Sequence, residues 1–376
     1  MDPVKILKRS WHILWSYRAL WVFGLILALA AGGSSFNNGS NNSYQYEQRD
    51  DTPQVNMTPQ DVREAYQEFR SELKELFEQG IPEYDISGTD LTAFLWAVGA
   101  FVLVMMLVGL VMTVARYVSE TAVIRMVDEY EATGTKMTVR QGFRAGWSKT
   151  AWRLFLIDLI VNLPVIILLL VLLFAGIGIF LSVINGTADF AAFGMISGIV
   201  IAFLAIFVVV ILTIVLRLVS HFFWRISALE DVGVRESLRR GFAFVLANWK
   251  NVGLMWLVMI GLGIVWALVS IVLVIVTIPV VLVTSVIAAL VSALPYLLFV
   301  GIFSTFLSGW LPWVAGFFFA APLFFTLAFS PWLLLGSWYS VYTSTVWTLT
   351  YREIKALPAV AVEPKVEPPV VLPPAS

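Results

Sequence analysis

Metal ligation and nucleophilic catalysis draw mainly on Cys, His, Asp and Glu. This chain of 376 residues has no cysteine and two histidines, His12 and His221. Disulfides, thiolate metal sites and cysteine nucleophiles are therefore excluded. No paired-histidine or His-Glu-x-x-His spacing occurs, and neither a phosphate-cradling glycine loop nor a Gly-x-Ser-x-Gly elbow is present. His221 is followed by Phe222, Phe223 and Trp224, the company of an interfacial aromatic rather than of a ligand or base. These patterns point away from an enzyme, and no cofactor or metal is expected.

The residues left to consider are polar groups inside apolar runs. Asp158 lies five residues beyond Arg153, roughly 8 Å along a helix. At that depth it reaches a boundary arginine, with Arg116, Arg153 and Arg217 as candidates. The sharper alternative is a proton or substrate site. Asn162 and Pro164 follow about one and two turns on, a kink with a polar contact. In the last apolar run Ser337, Ser340, Ser344 and Thr348 share one helical face. Hydrogen bonding between helices explains such a face, and a cavity lining is the alternative.

The elements that must position these groups are membrane helices. The chain is 59% hydrophobic, against about 45–50% apolar for a soluble domain. Several runs exceed the ~18 apolar residues that mark a spanning helix. Apolar runs fall at about 13–33, 91–115, 154–182, 192–216, 251–278 and 320–349. The first follows "KILKR" and resembles a signal peptide. Its apolar stretch begins near Trp11 and is too long for a typical signal core, so an uncleaved span is expected.

Charge sets the threading. Segment 34–90 holds four of the basic residues and twelve acidic ones, whereas the other twenty basic residues fall in 1–18, 116–153, 217–250 and 352–365. The positive-inside rule then places both termini in the cytoplasm and 34–90 outside, with an even number of spans. Six is the expected number. Segment 280–318 is apolar but punctuated by Pro279, Pro295 and Pro312. It is expected as a re-entrant or interfacial element, with two extra short spans as the alternative.

An internal repeat supports six. Trp147, Ser148, Ala151 and Phe155 repeat Trp15, Ser16, Ala19 and Phe23 at one offset. "GTKMTVRQGF" (134–143) parallels "GVRESLRRGF" (233–242), and "RYVS" (116–119) parallels "RLVS" (217–220). The expected unit is an amphipathic cytoplasmic helix followed by a hairpin of spans, three times over. The basic faces of these helices suit anionic headgroups, with Arg140, Arg144, Arg235, Arg239 and Arg240 as the contacts. Val234, Leu238, Gly241, Phe242, Val245 and Trp249 form the apolar stripe of the third.

The fold class is thus an all-α integral membrane protein. Residues 1–355 form one polytopic domain, and 356–376 form a disordered Pro-rich cytoplasmic tail. The outer insertion 34–90 carries an amphipathic helix at 59–79. Thr58 caps it, Pro59 opens it and Gly80 ends it. Its apolar seam packs on the protein's own outer surface or meets a partner. Net charge of −1 gives no electrostatic reason for a nucleic-acid partner. Expected partners are membrane lipids, together with a protein docking on helix 59–79 or on the tail.

Three stretches, "LWVFGL" (20–25), "LEDVGVRESLRRGF" (229–242) and "WTLTYREI" (347–354), carry a resemblance. The chain resembles the membrane domain fused to some bacterial glycerophosphoryl diester phosphodiesterases, and its uncharacterised stand-alone multi-pass relatives. The resemblance implies a bacterial plasma membrane protein of accessory or lipid-associated role. The diesterase chemistry does not carry over, because that activity belongs to a separate barrel domain with His and acidic metal ligands. The expected function is a non-enzymatic scaffold that binds lipids or partners. A transporter or channel lined by Asp158 and the hydroxyl face is the alternative.

Overall fold

A computed structural model describes the backbone of residues 1–30, 67, 71, 74, 88–185 and 188–357, with the side chains of all of these except 88–90 and 179–202. Insertion 34–90 with its helix 59–79, and the tail 356–376, lie outside the described residues apart from 67, 71, 74, 88–90, 356 and 357. The described residues form ten helices and no strand. They are α1 (Pro3–Ser16), α2 (Ala19–Ala30), α3 (Gly88–Thr133), α4 (Val139–Gly146), α5 (Lys149–Asn185), α6 (Ala188–Leu229), α7 (Val234–Ala247), α8 (Trp249–Phe303), α9 (Leu311–Ala328) and α10 (Ser330–Ala356).

Five stretches are long and apolar enough to cross a membrane: Leu91–Thr133, Lys149–Gly178, Phe203–Leu229, Trp249–Phe303 and Leu311–Ala328. The pair α1 and α2, bent by 100°, makes a sixth if it is one broken span. Their surfaces are densely apolar, as lipid contact requires. Integral membrane residence follows from this.

Short amphipathic helices precede the apolar ones. The Asp2 carboxylate caps α1, accepting from the N–H groups of Val4 and Lys5 at 3.0 and 3.3 Å, with Pro3 in the first turn. A reciprocal capping box between Thr138 and Gln141 starts α4. Each ends on a backbone bond one turn back, from Tyr17 to Ile13, Trp147 to Phe143 and Asn248 to Phe244. The next helix begins within two residues. The corner after α1 is held from outside. Tyr17 donates its hydroxyl to the Met137 carbonyl at 2.8 Å, and Lys136 Nζ reaches the Ser16 carbonyl at 2.7 Å.

The main core joins the two ends of the chain. Ile13, Leu14, Leu20 and Phe23 pack with Met126, Phe222, Val341, Val346 and Trp347. Helix α2 crosses α10 at backbone distance: a Cβ on Gly24 would lie 2.7 Å from the Ser337 carbonyl.

Two boundaries differ from the sequence reading. Pro279 and Pro295 do not break the chain; α8 runs through both for 55 residues, because an apolar environment gives the freed carbonyls no better partner. The reversal comes at 304–310, and α9 folds back along the second half of α8. There Thr284 donates to the Ala328 carbonyl at 2.7 Å and Trp332 Nε1 to Thr277 at 2.8 Å. The run expected at 320–349 is divided at Phe329 between α9 and α10. Helix α10 is too rich in hydroxyls to pass as an apolar span.

Ionic contacts gather at one end of the bundle. Arg352 bonds Asp128 of α3, and Lys355 reaches Glu230, just past α6, at 2.7 Å. Arg9 of α1 pairs with Glu131 at 2.8 Å, and the Asp2 N–H donates to Glu353 at 3.0 Å. The N-terminus, the ends of α3, α6 and α10, and the start of α7 thus meet on one side.

Candidate functional site

The apolar stretches of α3 and α6 continue inward as helix past the residues where sequence hydrophobicity stops. This carries charged groups into the bundle. Arg225 of α6 is 0% exposed. Its Nη1 donates to the His221 carbonyl at 2.7 Å and its Nη2 to the Ser344 carbonyl at 3.0 Å. Glu120 Oε1 of α3 lies 3.7 Å from Nη2 and accepts from the Ser344 hydroxyl at 2.7 Å. The triad ties α3, α6 and α10 together. A buried guanidinium with one carboxylate and two carbonyls is largely satisfied, the condition for keeping a charge out of water.

These groups form part of the wall of a cavity of about 490 Å³ between α2, α3, α5, α6 and α10. Arg116, Asp158, Asn162, Arg217, Trp224 and Ser340 also face it. In three of the wall residues one nitrogen, His221 Nδ1, Trp224 Nε1 or Arg225 Nε, is buried and lacks a hydrogen-bond partner among the described residues. The His221 ring stacks on Trp347, centroids 4.9 Å apart and planes 10° from parallel.

Asp158 is at this site, with a partner the sequence did not suggest. Tyr117 donates its hydroxyl to Asp158 Oδ2 at 2.6 Å. Among the described residues no ion pair joins Asp158 to Arg116 or Arg153. Arg153, five residues away, does not share its helical face. It turns instead to Asp231, bonding the carboxylate at 2.8 Å and the carbonyl at 2.9 Å. Arg116 lies over the Tyr117 ring, 5.7 Å from its centroid.

The cavity brings together Asp158, Asn162, Ser340 and Ser344 from the sequence-derived set. Asn162 turns back to the Asp158 carbonyl at 2.8 Å. Ser337 and Thr348 are not in the wall: Ser337 bonds the Trp21 carbonyl at 3.2 Å across the α2 crossing, and Thr348 bonds the Ser344 carbonyl at 2.8 Å within its own helix. Sequence reasoning placed Glu120 and Arg225 in boundary segments, and His221 with them, and so missed the triad those two make with Ser344. The signal was there: Arg225 closes an unbroken aromatic run, Phe222-Phe223-Trp224, where a solvated arginine is out of place.

Expected headgroup contacts are on the outer faces of α4 and α7. Arg140, Arg144 and Arg235 are exposed and make no ion pair among the described residues. Arg239 and Arg240 are engaged, both with Glu236, at 3.0 and 2.6 Å. Arg240 also reaches Glu230 at 3.1 Å. Burial opposes ionisation of Glu230, but Lys355, Tyr351 and Arg240 hold its carboxyl below the usual range. Of the predicted α7 stripe, Val234, Leu238 and Val245 pack inward, whereas Phe242 and Trp249 are exposed. The reason is the close seat of Gly241, whose Cα side faces the Phe223 ring. Phe242 therefore shares the outer face of α7 with Arg235, Arg239 and Leu246, and the exposed Trp249 is the first residue of α8. Phe143 and Trp147 accompany Arg140 and Arg144 on α4 in the same way.

Among the described residues no group of three His, Asp or Glu side chains is arranged to hold a metal ion. The model of one family, described as "Family of unknown function (DUF7544)", matches residues 7–345. The chain belongs to that family. No curated protein and no solved structure matches it.

Proposed function

We propose that this member of a family without an assigned activity is a non-enzymatic multi-pass protein of a bacterial plasma membrane that binds anionic lipid, and through it scaffolds partners, at its cytoplasmic face. The observation that carries this is the outer face of α7. Arg235 and Arg239 stand on it with Phe242 and Leu246, all exposed, and the exposed Trp249 opens α8 just beyond the corner. Cations beside aromatics on a short helix, with apolar spans on either side, suit the headgroup level. Helix α4 has the same make-up.

The start of α1 and the ends of α3, α6 and α10 meet on one side, which agrees with the charge threading that makes this side cytoplasmic. The element order supports a threefold repeat of amphipathic helix, corner and hairpin, starting at α1, α4 and α7. Gly142 and Gly241 hold matching places in it, each buried with an aromatic ring where a Cβ would go. The resemblance to the membrane domain of the diesterases and its stand-alone relatives supports the same lipid-associated reading. Helix 59–79 and the Pro-rich tail are the segments proposed to meet protein partners.

The test is lipid analysis of the full chain after mild-detergent extraction. Phosphatidylglycerol should be enriched over the bulk membrane, and a variant combining Arg140→Gln, Arg144→Gln, Arg235→Gln and Arg239→Gln should lose most of that enrichment. A wild-type protein whose lipids mirror the bulk membrane would refute the reading. A second reading, transport, is favoured by the polar cavity; loss of a solute flux in a well-expressed Asp158→Asn protein would establish it instead.

A further inference from the structure

The polar cavity has an apolar neighbour. A groove of about 580 Å³ between α6, α8 and α10 shares Arg217, His221 and Tyr339 with it. Beyond those three, and Trp256 and Trp347 near one end, the groove is lined by aliphatic side chains such as Ile214, Leu218, Ile260, Ile264 and Leu268. It follows α8 from Trp256 to Ile271, about 22 Å at 1.5 Å per residue, enough to cross one leaflet of a ~30 Å hydrocarbon core.

The cavity walls are rich in donors. Three guanidiniums, Arg116, Arg217 and Arg225, face two carboxylates, and both carboxylates already accept hydrogen bonds, Glu120 from Ser344 and Asp158 from Tyr117. Arg225, wholly buried, and Trp224, 9% exposed, each keep an N–H with no acceptor among the described residues. Buried donors of this kind cost free energy until an acceptor meets them. A phosphate offers several acceptor oxygens and a charge that guanidinium matches well. A ligand that satisfied both compartments would have an anionic phosphate at one end and a long apolar body at the other.

The geometry points to one continuous site for a single phosphate-bearing anionic membrane lipid, its headgroup in the cavity at Arg116, Arg217 and Arg225 and an acyl chain in the groove along α8. This rests on the chain's being a lipid-binding membrane protein, but not on the α4 and α7 faces. Those faces meet a lipid layer; this site holds one molecule between helices.

The experiment uses the full chain, washed extensively in mild detergent, with phosphatidylglycerol counted per protein by native mass spectrometry. Wild type should retain one lipid. Arg116→Gln with Arg217→Gln should lower retention about tenfold or more, the order of one lost charge-assisted hydrogen bond. The α4 and α7 arginine variant should keep it. Ile264→Trp fills the groove without touching a charge and should also expel the lipid, which keeps the test sharp if the double arginine variant misfolds. Inorganic phosphate serves as the competing probe. Stabilisation of wild type by phosphate alone, with no lipid retained, would mean a free-anion site and overturn the lipid occupant. Retention unchanged in both site variants would overturn the site. Loss only in the α4 and α7 variant would overturn it too, while leaving the proposed function in place.

Discussion

Arg225 of α6, wholly buried, and Glu120 of α3, 12% exposed, form an ion pair 3.7 Å apart, with Ser344 of α10 bonded to both. Removing one partner leaves an uncompensated charge among helices. Glu120→Ala should lower unfolding stability by about 3–5 kcal/mol, the range for a broken buried pair. Replacing both, Arg225→Met with Glu120→Gln, should cost clearly less. Thermal unfolding in detergent, followed by tryptophan fluorescence, checks the order; equal losses would show that the pair contributes nothing specific.

Close packing gives a second test. A Cβ on Gly241 would meet the Phe223 ring, 2.8 Å from Cε1, and one on Gly142 would meet Phe23 at 2.9 Å beside the flexible end of Met126. Gly241→Ala should destabilise by about 1–3 kcal/mol through overpacking. Gly142→Ala should cost less, because a methionine chain gives way more readily than a ring. The same melting measurement ranks the two.

Glu230 makes stability depend on pH. Its carboxyl is held below the ordinary range by Lys355, Tyr351 and Arg240 against the opposing effect of burial. A group with a depressed folded pKa stabilises fully above its unfolded value, and the contribution disappears as pH falls through the folded one. Stability should therefore drop as pH is lowered below about 4, more steeply in wild type than in Glu230→Gln, which should already be weaker at neutral pH. Parallel pH profiles for the two proteins would contradict this.

The Tyr117–Asp158 bond separates a packing role from a transport role. Tyr117→Phe leaves a half-buried carboxylate without its donor and should cost about 1–3 kcal/mol. Asp158→Asn keeps an acceptor for Tyr117 and should cost less. If Asp158 only packs, neither change alters the lipid retained by the washed protein.

A chain without cysteine is a clean background for labelling. Single cysteines replacing Gln60 and Thr305 should react with an impermeant reagent from outside, and one replacing Arg235 only after the membrane is opened. Cytoplasmic labelling at residue 60 would reverse the threading.

The all-helical, membrane-spanning character was legible in the sequence because apolar run length answers directly to the bilayer. The amphipathic corners were legible for the same reason. What escaped was depth. Helices α3 and α6 continue well past Arg116 and Arg217, so residues that read as boundary loops, Glu120 and Arg225 above all, lie inside the bundle. Hydrophobicity marks where lipid is met; it is silent on where a helix is sheltered by other helices. The prolines misled in the same direction. Pro279 looks like a terminator by the rules of water, but in a helix with no solvent to receive its carbonyls it is merely a tolerated fault.

The joint between Gly24 of α2 and Ser337 of α10, reinforced by Asp2 meeting Glu353, has a temporal consequence. The chain's earliest apolar helix finds its closest neighbour in its last, more than three hundred residues later. During synthesis α2 must wait in the bilayer with a bare glycine face while all the intervening helices are threaded. Nascent molecules are thus vulnerable to wrong pairing until translation is almost complete, and only the arrival of α10 closes the ring.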